Sequence, residues 1–588
     1  MKKILDDISE VVSSAFEKCG YDKEYGKVTI SNRPDLCEFQ CNGAMACAKK
    51  AHKAPFMIAD EIKEVLDQSE MFEKVDSVKP GFLNMIIAPE YLANYMVTMS
   101  SEDKLGVENT ANPRTIVMDY GGANVAKPLH VGHLRPAIIG ESIKRVLKYV
   151  GNTVYGDVHL GDWGLQIGLI INELRHRKPD LPYFDQNFTG EYPKEAPFTL
   201  SDLEEIYPYA SGKSKEDEAY KKDALEITNE LQNGHPGYTA ILKHILTLSH
   251  ADLKKNYGSL NVTFDLWKGE SDAQPYIPDM IEDMKKKGIA EESDGALIVR
   301  VAKDDDKREI PPCIIQKSDG ASLYATTDLG TIIMRKKEQN PDAIIYVVDK
   351  RQELHFVQVF RTARMAGLIG DDVELTHIGF GTMNGKDGKP FKTRDGGVMR
   401  LEHMIKDISD EMYKKITENH TVDPEEAKET AKIVGLAALK YGDLSNQASK
   451  DYVFDMERFT SFEGNTGPYL LYSIVRIKSI LAKYKELGKN AKDYKILAPT
   501  TKSEKDLMLA LANFQATIDV VAKEYAPHKL CAYIYELANT FNHFYHETKI
   551  MAEEDEQRQG SYILLLMLTK EVLETSVDLL GFEAPERM

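Results

Sequence analysis

Cysteine is scarce. Six residues among 588 (Cys19, Cys37, Cys41, Cys47, Cys313 and Cys531) are too few for a disulfide framework, so the compartment reads as reducing and cytoplasmic. Three of them cluster as Cys37-x3-Cys41-x5-Cys47, but neither a CxxC pair nor a spaced histidine pair accompanies them, and His52 is the only histidine nearby. That spacing favours buried thiols in a helix over a metal site, and no protein-bound zinc is expected. No apolar run approaches the ~18 residues of a membrane-crossing helix, so no membrane partner is expected. The N-terminus, MKKILDDISE, turns acidic before a signal-peptide core can form. Basic residues are outnumbered, 74 against 93, and a formal charge of −19 excludes a basic nucleic-acid coat while allowing local basic patches. Internal repeats and low-complexity tracts are lacking too.

What is present is an ordinary globular composition, 42% apolar and 28% charged, in a chain long enough for three or four domains at roughly 150 residues each. Ile4, Ile8, Val11, Val12 and Ala15 recur at helical spacing, VTIS reads as a strand, and helices are expected near Gly43–Lys50 and Phe56–Leu66. KPGFLNMII (79–87) reads as a closing strand, and the polar stretch SSEDKLGVENTANPR as a linker. TIVMDY (115–120) then starts a strand–loop–helix–strand unit. Its helix runs from Leu134 to Val150, and TVYGDVHL (153–160) is its second strand. IIYVVD (344–349), a helix Leu354–Leu368 and ELTHIGFGTM (374–383) repeat that plan, which predicts a parallel α/β sheet. Residues from about 165 to 300 read as a mostly helical insertion, and beyond Arg400 the pattern is helical to Leu580.

The sharpest chemical feature is Asn124-Val-Ala-Lys127-Pro-Leu-His130-Val-Gly132-His133, between the first strand and its helix. Free N–H groups at the start of such a helix favour phosphates. Two imidazoles there donate hydrogen bonds to phosphoryl oxygens as charge develops, and Gly132 lets a nucleotide approach closely. HxGH alone is a weak pattern, equally compatible with capping histidines; its place in a βα turn points to function.

DYGGANVAKPLHVGHLRPAIIG (119–140) and GDVHLGDWGLQIG (156–168) resemble the catalytic signature of the arginyl-tRNA synthetases, a family of class I aminoacyl-tRNA synthetases. The resemblance extends over almost the whole chain. It includes DLCEFQCNGAMACAKK (35–50), LNVTFDLWKGES (260–271), QKSDGASLYATTDLG (316–330), LKYGDLSNQASKDYVFD (439–455) and SFEGNTGPYLLY (461–472). It implies a Rossmann-type parallel-sheet catalytic core with a helical insertion at about 170–300. An α+β N-terminal domain and an all-helical anticodon-binding bundle would flank that core. The implied boundaries are 1–105, 106–400 and 401–588.

The resemblance also implies site residues. ATP would lie along Ala123, Asn124, Val125, Ala126, Lys127, Pro128, Leu129, His130, Val131, Gly132 and His133. Arginine would be held by Asp119, Asn124, Tyr324, Asp328 and Gln352; Tyr324 and Asp328 share one helix face if a helix begins there. Taken alone, an aspartate after a strand is more often a cap. Asp162, Trp163 and Gln166 fall near the same sheet edge. The second class I signature, a mobile KMSKS loop, would be GKDGKPFKTRDGG (385–397), whose Lys389, Lys392 and Arg394 can neutralise a triphosphate. Aligned on Pro390-Phe391-Lys392-Thr393-Arg394, it has Thr393 where the family motif has its second lysine, and Lys127 would compensate.

The implied partners are tRNA(Arg), L-arginine and ATP with magnesium, acting on a monomer. Tyr469, Tyr472, Arg476, Lys478 and Lys483 interleave aromatic and cationic groups as single-stranded bases require, although an amphipathic bundle helix has the same composition. Three rivals are a class I synthetase of cysteine or glutamine specificity, a tRNA-binding paralogue without charging activity, and a metabolic nucleotidyltransferase. The paralogue should have lost His130 or His133, and the transferase leaves the helical C-terminal third unexplained.

Overall fold

The computed structural model describes residues 1–317, 323–391, 399–418 and 423–588. The chain forms two compact units. Thr110–Ser461 with Leu579–Phe582 make one; Met1–Asn109, Phe462–Asp578 and Glu583–Met588 make the other.

The first unit is built on a four-stranded parallel sheet in the spatial order Glu374–Phe380, Ala343–Asp349, Thr115–Asp119, Thr153–Asp157. Both expected βαβ units are therefore present, with helices Leu134–Tyr149 and Glu353–Met365. Near-continuous apolar runs such as AIIYV suit strands covered on both faces. The chain order reverses between Thr115–Asp119 and Ala343–Asp349, and such a switch point opens a crevice beyond the carboxyl ends of the strands. Helix Leu134–Tyr149 buries 13 of its 16 residues, so its charged side chains must pair internally. Arg135 Nε donates to Asp443 Oδ2 at 3.0 Å, and Lys144 lies 2.9 Å from Glu141. Close packing behind the first strand requires Gly140: a Cβ there would stand 2.3 Å from the Tyr120 ring.

Helices Leu165–Arg177, Leu200–Glu216, Glu218–Gln232 and Pro236–Ser259 fill most of the inserted stretch. Its end is not helical. Glu291–Ser293, Ala296–Val299 and Cys313–Gln316 form an antiparallel sheet whose three- and four-residue strands are too short to show a period. Helices Leu401–Thr417 and Pro424–Leu444 also belong to this unit. A two-residue strand, Tyr452–Val453, pairs with Met383–Asn384.

In the second unit, helix Ile4–Lys18 accompanies an antiparallel sheet ordered Val28–Ile30, Phe39–Cys41, Phe82–Ile87, Phe72–Val78. Two of these strands, Phe39–Cys41 and Phe72–Val78, carry no alternation strong enough to be read from sequence. Helix Pro89–Ser101 reaches the residues read as linker. Cys37, Cys41 and Cys47 are buried, but only Cys47 lies in a helix; Cys41 ends a strand, where burial pushes its thiol up to about 11. The C-terminal helices of this unit are Gly467–Glu486, Lys502–Ala512, Phe514–Glu524, Pro527–Glu547 and Glu556–Leu579. Lys505 pairs with Glu38 at 2.7 Å and Glu73 at 3.3 Å, and Lys3 pairs with Asp519. No helix among the described residues is long and apolar enough to cross a membrane.

Candidate active site

A cavity of about 460 Å³ opens at the switch point, and its lining includes Asp119, His130, Gly132, His133, Asp349, Gln352, Pro390 and Phe391. The sheet explains the convergence. Asp119 and Asp349 end adjacent parallel strands, His130–His133 follow the first, and Gln352 sits in the turn after the third.

The two histidines are oriented by the backbone. Gly132 N–H donates to His130 Nδ1 at 3.0 Å, and His130 N–H donates to His133 Nδ1 at 3.1 Å. Both rings therefore carry the proton on Nε2 when neutral, and those N–H groups remain as donors. Their centroids lie 4.0 Å apart. Burial and the Lys127 charge depress the His130 pKa; burial, His130 and Lys127 drive that of His133 down to about 3. The capping role and the donor role are thus compatible, since one ring nitrogen serves each.

The preceding loop is folded tightly. Ala126 takes φ of +58°, and its N–H donates to Ser249 Oγ at 2.9 Å. Asn124 bridges Gly161, and Ala123, Val125 and Leu129 are buried. Lys127 Nζ lies over the Tyr207 ring, 4.2 Å from its centre. Pro128 is half-buried and Val131 buried.

Helix Tyr324–Glu338 begins at Tyr324, which puts Tyr324 and Asp328 one turn apart on one face. Tyr324 is 74% exposed, and Asp328 Oδ2 meets His355 Nε2 at 2.5 Å. Glu270 belongs to the same acidic cluster: burial, with Asp162 and Asp328 reinforcing it, pushes its carboxyl up to about 7 against the opposing effect of His159. Asn124, Tyr324 and Asp328 stand outside the lining of the switch-point cavity, whereas Asp119 and Gln352 are part of it. The Asp119 carboxylate is already engaged by Arg335.

All three residues named in the sheet-edge stretch GDWGLQ have structural partners. Asp162 accepts from Ser271 N–H at 2.9 Å and Oγ at 2.6 Å, and Trp163 Nε1 donates to Gln274 Oε1 at 3.0 Å. Gln166 donates to the Val125 carbonyl. Met383–Phe391 forms a hairpin in which Gly385 N–H donates to the Lys389 carbonyl at 2.8 Å, leaving Lys389 exposed at the turn. Lys392, Thr393 and Arg394 lie outside the described residues. Beyond them, Met399 accepts from Val131 N–H at 3.0 Å, so the chain returns along the HxGH segment.

Sequence reasoning missed Glu270, Arg335, His159 and His355. A helical wheel would have found Arg335: positions 324, 328, 331 and 335 form one stripe. Glu270 sits inside the WKGES block but shows nothing there beyond a possible cap, because its shifted carboxyl depends on residues distant in sequence.

In the second unit, Tyr469, Tyr472, Arg476 and Lys478 of helix Gly467–Glu486 have partners, and Lys483 is exposed. Tyr469 Oη donates to Asn539 at 2.7 Å, Arg476 to Asn542 at 2.6 Å, and Lys478 pairs with Glu586 at 2.7 Å. Tyr472 is 43% exposed, and the Arg476 guanidinium lies 4.8 Å from its ring centre.

Comparison with known proteins places this geometry in a family. Residues 96–456 match the class I (R) tRNA synthetase catalytic domain, 470–588 the DALR anticodon binding domain, and 2–87 the arginyl-tRNA synthetase N-terminal domain. The arginine–tRNA ligases of Agathobacter rectalis and Alkaliphilus oremlandii are 64% and 56% identical, each aligned over 100% of both chains. The Plasmodium falciparum arginyl-tRNA synthetase structure superposes with a TM-score of 0.80 at 25% identity, covering 100% of both chains. With the HxGH segment at the switch point, an acidic cluster beside the start of helix Tyr324–Glu338 and agreement over the full length, the chain belongs to the arginyl-tRNA synthetase family of class I aminoacyl-tRNA synthetases.

Proposed function

We propose that the switch-point cavity activates L-arginine with ATP and transfers it to the terminal adenosine of tRNA(Arg), the reaction of an arginine–tRNA ligase. The arginine carboxylate attacks the α-phosphate in line, magnesium pyrophosphate leaves, and the acyl group passes initially to the 2′-hydroxyl. The Nε2–H groups of His130 and His133 donate to the transferring phosphate, and Gly132 keeps the approach open. Lys127 adds positive charge, and Lys389, Lys392 and Arg394 cover the pyrophosphate. The backbone from Ala123 to His133 cradles the nucleotide.

The observation that carries the arginine assignment is the acidic cluster of Asp328 and Glu270 beside Tyr324. A planar guanidinium pairs with two carboxylates in a way that a lysine ammonium cannot reproduce. Asp119, its charge shared with Arg335, faces the cavity for the substrate α-ammonium, with Asn124 and Gln352 as polar neighbours. ATP–pyrophosphate exchange with each amino acid, with and without tRNA, tests this reading. Exchange with an amino acid other than arginine alone would overturn it.

Glu270 gives the arginine pocket a pH response. With its carboxyl near 7, Glu270 is largely neutral in mild acid and charged above, so arginine binding strengthens as pH rises through about 7. Glu270→Gln should flatten the pH profile of the arginine KM, and an unchanged profile would remove Glu270 from the pocket.

Lys127→Ala should lower the adenylation rate about as much as loss of one phosphate donor, roughly 10²-fold. Thr393→Lys should recover part of the defect, because either cation neutralises the same oxygens. A wild-type rate in Lys127→Ala rejects the compensation.

The same proposal gives tRNA to residues 1–105 and, within 401–588, to the helices beyond Phe462, since residues 401–461 are compact with the catalytic sheet, and has the enzyme acting as a cytoplasmic monomer. Since Lys3 and Lys505 tie residues 1–109 to the 462–578 helices, tRNA titration of the full chain is the appropriate measurement.

A further inference from the structure

Arg335 is almost completely enclosed beside the cavity: its side chain is 1% exposed. It lies on the stripe that carries Tyr324 and Asp328, about three helical turns beyond Tyr324. One nitrogen, Nη2, donates to Asp119 Oδ2 at 2.7 Å and to Asp157 Oδ2 at 2.7 Å. Those carboxylates are register partners at the ends of adjacent parallel strands, so they repel unless a cation lies between them. The guanidinium also lies over the Tyr346 ring, 5.4 Å from its centre, while Nε and Nη1 are buried without a hydrogen-bond partner. Two carboxylates and one guanidinium leave this cluster one negative charge in excess, and of the two acids Asp119 is the one that lines the cavity.

We propose that Arg335 is a positioning residue that sets the direction in which the substrate binds. It is a resident guanidinium, seated where the guanidinium of a reversed arginine would otherwise pair with Asp119 and Asp157. With that place filled, the single remaining charge at Asp119 suits an ammonium, and the substrate guanidinium is left to Asp328 and Glu270. Arg335 also fixes the rotamer of Asp119, because one carboxylate oxygen is committed to Nη2. The proposal rests on the assignment of arginine as substrate.

The experiment is arginine-dependent ATP–pyrophosphate exchange on the full chain with tRNA present, with thermal melting alongside. Wild-type exchange with arginine is the control; its absence would defeat the substrate assignment and say nothing of Arg335. In Arg335→Ala, reversed and non-productive arginine should compete with the productive pose, so kcat should fall about tenfold or more and the apparent arginine KM should fall with it, with the ATP KM nearly unchanged. Millimolar guanidinium chloride should restore part of kcat by refilling the vacated place, whereas in wild type it should only compete with arginine. Arg335→Met with Asp157→Asn restores the single negative charge of the wild-type cluster and keeps the core foldable if the single variant melts early. That double variant offers a reversed guanidinium no second carboxylate and should regain kcat. An unchanged kcat in folded Arg335→Ala, or a kcat loss that guanidinium does not recover, would show that Arg335 only balances charge.

Discussion

Asp328→Ala is expected to raise the KM for arginine by about 10²–10³-fold, because truncating one partner of a desolvated, hydrogen-bonded charge pair costs roughly 2–5 kcal/mol. The ATP KM should stay close to wild type, since Asp328 stands outside the lining of the cavity that contains His130 and His133. Asp328→Asn is the informative companion, keeping the shape beside His355 while removing the charge that the guanidinium requires. Both variants should show a large KM defect in arginine-dependent exchange, with Asp328→Ala slightly the worse. An unaltered arginine KM in either would place the guanidinium elsewhere, and Glu270 would become the first candidate.

Loss of His133 acts on a different constant. His133→Ala should reduce kcat for adenylate formation by about 10²–10³-fold, the effect of removing one donor aimed at developing charge, roughly 2.7–4 kcal/mol. Arginine affinity should barely change. The same ring caps the His130 backbone N–H through Nδ1, and loss of a cap of about 1 kcal/mol appears in melting temperature, leaving the two roles separable. The pH profile supplies a second check. With the His133 pKa pushed down to about 3, that ring gains no proton across about pH 5 to 8, and burial with the Lys127 charge lowers the pKa of His130 as well. An acid limb of kcat in that window must therefore come from a group other than His133. A His133→Ala enzyme adenylating at the wild-type rate would reduce the pair to capping residues.

Comparing the sequence expectations with the fold shows where legibility stopped. TIVMD, AIIYVVD and their following amphipathic helices were readable because burial on one or both faces imposes a period on every residue of the element. HxGH was readable because its meaning depends on neighbours along the chain, a strand before and a helix after. The three strands between Glu291 and Gln316 left no such trace, being only three or four residues each. The N-terminal stretch was read as a module of its own, yet Glu38 and Glu73 meet Lys505, more than 400 residues along the chain.

By itself the sequence determined the parallel α/β core, the helical C-terminal third, the place of the HxGH turn and the family. Each of these is written in local periodicity or in a contiguous motif. Tertiary structure alone decided how charge is distributed in the cleft. Asp119 and Asp157 are 38 residues apart, yet parallel pairing sets them side by side, and only a helix from far along the chain brings Arg335 between them. Glu270 becomes an acid titrating near 7 because folding removes water from it and surrounds it with Asp162, Asp328 and His159. Desolvation and Coulomb interaction depend on distance in space, which the order of residues along a chain does not specify.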